Sequence, residues 1–258
     1  MTLIKTIVNQ AKEANIRIEE NCAAILITAN KSFSTETITH RVTGGGSDGS
    51  QNLNLSINTN AKMLSEMAAK GEGFIQKFTA TNKEHCFIQL TQGWAGLPLN
   101  KNRQLVIDLY ELDNTKTYEI YAIPGNAVID FARKTDRDSV LNGSPSKQMN
   151  LAGINRVFIK DSAALTGVTL NMGGHSGKLT REELKALQNK MNDIVSATPT
   201  IEDTDGEGSQ VYKMNLGFEN LLEIPFVGAS TTLTIESTGA SEVEFFSEKI
   251  VSINSFAN

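Results

Sequence analysis

From about Ile16 onward, apolar and polar residues alternate with a period of two, the pattern of strands with one buried and one wet face. In "NLNLSIN", Leu53, Leu55 and Ile57 fall on one side and Asn54 and Ser56 on the other. "HCFIQL" groups Cys86, Ile88 and Leu90; "LVIDLY" groups Leu105, Ile107 and Leu109; "TYEIYA" groups Tyr118 and Ile120. The second half keeps the rhythm. Val168, Leu170 and Met172 align in "VTLNM", and Tyr212, Met214, Leu216 and Phe218 align in "VYKMNLGF". Leu233 and Ile235 follow in "TLTIES", then Val243 and Phe245 in "EVEFF". Alternation favours antiparallel sheets, because parallel strands buried on both faces read as continuous apolar runs. With weaker runs included, each half offers roughly seven strands, as a β-sandwich requires.

Three segments follow a helical period instead. Over residues 2–15, Ile4, Ile7, Val8 and Ala11 share one face and Thr2 can cap the first turn, which predicts an amphipathic helix. Such a helix either packs on its own domain or serves as an arm for a neighbouring subunit or surface. "NTNAKMLSEMAAKG" groups Met63, Leu64, Met67 and Ala68, with a cap at Thr59 or Asn60 and Gly71 as a stop. "LTREELKALQNKMNDIV" opens on a capping box, Thr180 with Glu183, and directs Leu184, Leu187, Met191 and Ile194 inward.

The chain repeats itself. "LPLNKNRQLVIDLYE" from Leu97 returns as "IPFVGASTTLTIES" from Ile224: apolar-Pro-apolar, a polar turn, then an alternating strand. Each internal helix reads as following a short strand, "NLNLSIN" in one case and "GVTLNM" in the other, and preceding a strand, a Pro turn and two more strands. This order predicts a duplicated architecture. The polar stretch 133–150 reads as a linker or a long loop early in the second module.

Composition narrows the function classes. With 40% apolar and 21% charged residues, the 28.0 kDa chain has the make-up of an ordinary globular protein. A net charge of −5 supplies no basic footprint for nucleic acid. The N-terminus lacks a signal-peptide apolar core, and no run approaches the roughly 18 apolar residues of a membrane span. Cys22 and Cys86 have no framework spacing, so reduced thiols and assembly in a cytoplasm are expected.

Motifs that imitate active sites fail on inspection. "GGHSGKLTREEL" ends its glycine run in Lys178, but Met172 stands where a P-loop needs glycine and Leu179 where magnesium needs Ser or Thr. His175, not serine, is central in Gly173–Gly177, so it is no nucleophile elbow. "DTDGEG" spaces Asp203, Asp205 and Glu207 before Gly208 like the start of a calcium loop, yet Met214 occupies the position of the bidentate glutamate. A solvated acidic loop is the default there, with weak calcium binding as the alternative. His40, His85 and His175 are scattered, and His40 falls with Ile38 and Val42 on one strand face, as a core histidine does. The acidic pair Glu182–Glu183 reads as a solvated face, and Trp94 in "TQGWAGLP" as a packing residue, with sugar stacking as the alternative. No catalytic residue, cofactor-binding residue or metal ligand is assigned, and an enzyme is not expected.

This arrangement resembles the double jelly-roll major capsid proteins of tailless icosahedral phages with an internal membrane. The resemblance rests on the helices after "NLNLSIN" and "GVTLNM", the paired "LPLNKNRQLVIDLYE" and "EIPFVGASTTLTIES", and the N-terminal amphipathic segment. It implies an all-β chain with a few short helices, divided into an arm over 1–16, a first jelly roll over 17–125 and a second over 126–258. It also implies a homotrimer of six similar barrels tiling a shell, with neighbouring capsomers and minor capsid proteins as partners and no sequence-specific nucleic acid. The protein would reside in the virion after assembly in the host cytoplasm, with the arm beneath the shell touching neighbours or the membrane. Competing readings are a carbohydrate-binding β-sandwich and another virion protein such as a spike or tail component.

Overall fold

The computed structural model describes residues 1–45, 51–72, 77–78, 83–191, 199–203, 210–214 and 221–254. The first set of elements is β1 (Thr2–Val8), β2 (Glu13–Ile18), β3 (Ala24–Ala29), β4 (Thr37–Gly45), β5 (Gln51–Asn60), α1 (Ala61–Glu72), β6 (Lys77–Phe78), β7 (Lys83–Gln89), β8 (Ala95–Gly96), β9 (Gln104–Tyr110) and β10 (Thr117–Ile123). After β11 (Ala127–Val128) come β12 (Phe131–Val140), β13 (Ser146–Asn150), β14 (Arg156–Lys160), β15 (Leu165–Met172), β16 (His175–Thr180), α2 (Arg181–Met191), β17 (Pro199–Asp203), β18 (Gln210–Met214), β19 (Leu221–Glu223), β20 (Thr232–Ser237) and β21 (Val243–Ser252).

Strand order exposes the duplication. The first set forms sheets β1-β10-β3-β7-β6 and β2-β9-β4-β5. The second forms β12-β21-β14-β19 and β13-β20-β15-β16. In each set the last strand returns to lie between the first and third, and the next-to-last lies between the second and fourth. This interleaving defines the jelly roll, and it occurs twice with matching order. Each helix stands at the same point, after the fifth strand (β5, β16) and before the strand that closes the first sheet (β7, β19).

By contacts the chain divides into two compact units. The first comprises Met1–Asp138, Gly153–Arg156 and Phe246–Asn258; the second comprises Ser139–Ala152 and Val157–Phe245. In the first unit the inward phases of β3, β7, β9 and β10 bury Ile25, Ile27, Ile88, Leu105, Ile107, Tyr118 and Ile120. The second buries Val157, Phe158, Val168, Leu170, Leu233, Ile235 and Phe245. Each such side chain contributes about 1.5–3 kcal/mol, so the alternation read from the sequence supplies the main driving force.

Four expectations are corrected, three about segments and one about the face of a single residue. Residues 2–15 are not a helix: β1 pairs with β10 and β2 with β9. Thr2, Ile4, Thr6, Ile7 and Val8 are β-branched and favour extended backbone. Asn9 (φ 56°) and Asn15 (φ 59°) adopt the left-handed conformation that interrupts helices. Ile7 is buried while Val8 and Ala11 are exposed, so the apolar face of the helical reading does not exist. The expected arm over 1–16 forms β1 and the start of β2, the first two strands of the first barrel. The polar stretch 133–150, expected as linker or loop, forms most of β12 and all of β13. Finally, the strand preceding α2 is β16; "GVTLNM" belongs to β15, one strand earlier, and the equivalent of β5 is therefore "HSGKLT".

Ile57, expected in the core, is 56% exposed. Opposite it the β4–β5 register shifts between Ile38 and His40, pairing Ile38 with Thr59 and His40 with Ser56. Asn58 takes φ 44° in this bulge, and Thr39 Oγ1 donates to Asn58 Oδ1 (3.1 Å) and accepts from the Asn58 N–H (2.9 Å). One inserted residue reverses the faces, turning Ile57 out and Ser56 in.

Because β1 belongs to the barrel, Ile7→Ala is expected to cost about 2–4 kcal/mol in denaturant unfolding. Thr6→Ala, at an exposed position, should stay within about 0.5 kcal/mol. Equal and small effects would contradict the strand assignment.

Candidate functional site

Residues singled out as imitating an active site are dispersed and spent on structure. Gly173 (φ 53°) and Gly174 (φ 94°) form the two-residue turn joining β15 to β16, where both positions require a positive φ. Lys178, on β16, is held by the Glu236 carboxylate at 2.5 Å, which also accepts from Thr169 Oγ1 at 2.9 Å. The capping box is realised: the Thr180 N–H donates to Glu183 Oε2 (2.8 Å) and the Glu183 N–H to Thr180 Oγ1 (3.2 Å). On α2, Leu184 is buried and Leu187 half-buried, while buried Gln188 pairs with β19 by donating to the Glu223 carbonyl (2.7 Å) and accepting from its N–H (3.1 Å). Asn60 caps α1, its Oδ1 accepting from the Met63 N–H, and the helix runs past Gly71.

Asp203 ends β17, while Asp205, Glu207 and Gly208 of the acidic loop, with Leu216 and Phe218, lie outside the described residues. Among the described residues, no group of three or more His, Cys, Asp or Glu is arranged to hold a metal ion. Cys22 and Cys86 are free and buried; burial pushes the Cys22 thiol up to about 11 and Cys86 well above its ordinary value. Both are poor nucleophiles there.

Among the described residues of the first unit, two ionic clusters are buried. Glu36 Oε1 accepts from Lys116 Nζ (2.7 Å) and from the Tyr118 hydroxyl (2.7 Å), and Oε2 accepts from the Ser34 N–H (2.6 Å). Lys116 also donates to the Ser32 carbonyl at 2.7 Å. Burial pushes the Glu36 carboxyl up, but these hydrogen bonds outweigh it and leave it below its usual range. Both oxygens are committed, so the group fastens the loops flanking β3 and β10 and offers no free base. In the second cluster, Glu248 sits 3.4 Å from Arg133 and 3.9 Å from Arg156, while Arg133 Nε donates to the Thr91 carbonyl at 2.8 Å.

Arg133 and Glu248 line a small cleft with Thr135, Met67, Ile88 and His40. His40 contacts Ser56 Oγ through Nδ1 at 3.0 Å, the arrangement that the bulge creates. Burial alone lowers its pKa to about 4.

Sequence reasoning missed a surface. Across the outer face of the first sheet, Leu3 lies opposite Tyr121, Tyr121 opposite Leu26, and Leu26 opposite Phe87. The Phe87 ring then meets Trp94 edge-on at 5.8 Å. Trp94 is 53% exposed and Leu3 51%, while Tyr121, Leu26 and Phe87 are half-buried. At about 4.8 Å per strand this apolar row runs for roughly 20 Å. Its border is polar: Glu119 accepts from Tyr121 (3.1 Å) and pairs with Lys83 (3.5 Å). The signal was present in the sequence, because Leu26, Phe87 and Tyr121 occupy the phase of their strands that should be wet. Trp94, expected as a packing residue, packs on Phe87 at this surface and is half exposed there.

Two measurements follow from the polar interior. Lys116→Met leaves Glu36 buried without its cation and is expected to cost about 3–5 kcal/mol in chemical denaturation; a loss under about 1 kcal/mol would contradict the buried pair. Below about pH 6.5 the unfolded chain takes a proton at His40 that the folded chain refuses until about pH 4. Stability should therefore fall as pH falls through that window, by about 3 kcal/mol at its lower end, and be unaffected by this group above it. The stability difference between His40→Asn and the unsubstituted chain should narrow by that amount on acidification; a difference independent of pH would contradict a buried neutral imidazole.

No protein-family model matches the chain, and no curated protein matches it. Among solved structures, the major capsid protein P2 of bacteriophage PM2 aligns over 98% of this chain and 95% of its own, with TM-score 0.53 and 13% identity. A chain of the Sputnik virophage structure aligns over 97% of this chain and 83% of its own, with TM-score 0.34 and 9% identity. The strand orders and the first of these alignments agree on one architecture: this chain has the double jelly-roll fold of the phage PM2 capsid protein.

Proposed function

We propose that the protein is a structural virion component, the major capsid protein of an icosahedral shell, whose three copies form a capsomer of six similar barrels. The observation that carries this reading is the repetition of one jelly-roll strand order within a single chain. A threefold ring of such chains presents six near-equivalent bodies and fits hexagonal lattice positions, whereas a single-barrel chain would need six copies. The likeness in fold to a phage major capsid protein over nearly the whole chain supports it. The commitment of Glu36, Lys178 and Gln188 to internal bonds supports a building role over a chemical one.

In this reading the partners are two further copies within the capsomer, then neighbouring capsomers and minor capsid proteins, in a virion assembled in the host cytoplasm. A net charge of −5 suits a shell that encloses a genome without gripping it. Interfaces within the capsomer should bury above about 2,000 Å², as obligate assemblies do. Light scattering on the purified protein should give three times the 28.0 kDa chain mass, unchanged on dilution to nanomolar concentration. A chain-mass particle at micromolar concentration would contradict the capsomer.

A further inference from the structure

We infer that the small cleft beside α1 is a binding site for one water molecule, held between His40 on β4 and Thr135 on β12. Both residues, and the others that line the cleft, belong to the first unit. The cleft lies where α1, β4 and β7 meet the first half of β12 and the second half of β21. Met67 and Ile88 form its apolar wall, and His40, Thr135, Arg133 and Glu248 bring polar groups to it. The space open to the centre of a water-sized sphere is about 10 Å³, room for one molecule and no more.

Two of these polar groups have bonding capacity left over. His40 is 3% exposed; its Nδ1 contacts Ser56 Oγ at 3.0 Å, and Nε2 has no hydrogen-bond partner among the described residues. Thr135 is 8% exposed, and its hydroxyl likewise has no partner among the described residues. Taking such groups out of bulk solvent unbonded is unfavourable by about as much as the hydrogen bond each forgoes. A water fixed between two such groups restores both bonds, and this is the usual place of buried water in proteins.

The chemistry of the lining selects water over an ion of similar size. A cation would face Arg133, with Arg156 3.9 Å behind the Glu248 carboxylate; an anion would face Glu248 itself. The guanidinium is already engaged, with Arg133 Nε donating to the Thr91 carbonyl at 2.8 Å and Nη1 to Glu248 at 3.4 Å. His40 is neutral, burial having lowered its pKa to about 4, and a neutral imidazole has one donor and one acceptor nitrogen. Ser56 Oγ lies near both Nδ1 and the Ile38 carbonyl, the latter at 3.5 Å. If the Ser56 proton points to Nδ1, Nε2 carries a proton and must donate; if it points to Ile38, Nε2 must accept. Water answers either tautomer, and a halide only one. Ser56 thus holds one ring nitrogen and the water the other, which ties the bulged strand β4 to β12, far along the chain.

Crystallography of the full chain, with bromide replacing chloride in the buffer, distinguishes the outcomes. One rounded density peak should stand about 2.7–3.2 Å from both His40 Nε2 and Thr135 Oγ1, with no anomalous signal from bromide. Thr135→Ser, which keeps the hydroxyl, should retain the peak. Thr135→Val, of the same shape without the hydroxyl, should lose it and lower the folding equilibrium constant about tenfold. An anomalous signal at the peak would identify an anion site and overturn the inference. So would a cleft without a peak in the unsubstituted chain, a peak that persists in the valine variant, or a Thr135 hydroxyl bonded directly to His40. If the valine variant does not fold, crystals of the unsubstituted and serine chains still decide.

Discussion

Each barrel depends on a pairing between strands that are far apart in sequence. β10 must return to lie between β1 and β3, and β21 between β12 and β14, before either first sheet is continuous. Until that happens, the apolar phases of β9 and β20 have no opposing layer to bury them. Loop closure over such separations is costly and slow, so most of the structure's gain arrives late, when the two sheets meet. Placing the first strand in the sheet also explains why the N-terminal residues are β-branched, with a single deeply buried side chain at Ile7.

The buried charges act on this frame as fasteners. Glu36 joins the turn before β4 to Lys116 and Tyr118 at the entry to β10, fixing the end at which the closing strand enters the sheet. Replacing such a network with apolar residues need not reduce stability, and its value lies in specifying which loops meet. The β4–β5 bulge works in the same way. By turning Ser56 inward it gives His40 a partner and allows a titratable ring to stay neutral inside the first unit.

Much of this was legible in the sequence, for identifiable reasons. Strands with one wet face declare themselves by alternation, and the inward phases of β7, β9, β10 and β20 are those expected. The capping box at Thr180 and the apolar face of α1 follow from local chemistry alone. Residues 2–15 misled because Ile4, Ile7 and Val8 fit a helical period, and only pairing with the partner strand reveals the extended backbone. β16 was hidden because its sequence, "HSGKLT", carries no apolar alternation; it is specified by the glycine turn before it and by pairing with β15. The outer row escaped notice because it forms only when four strands come into register.

If two equivalent barrels per chain are the organising fact, they should be countable. Single-particle imaging of the purified protein is the most direct measurement. It should show six barrels of similar size around a threefold axis, alternating between the two halves of each chain. Three undivided bodies, or barrels whose strands do not superpose between the two halves, would contradict the account.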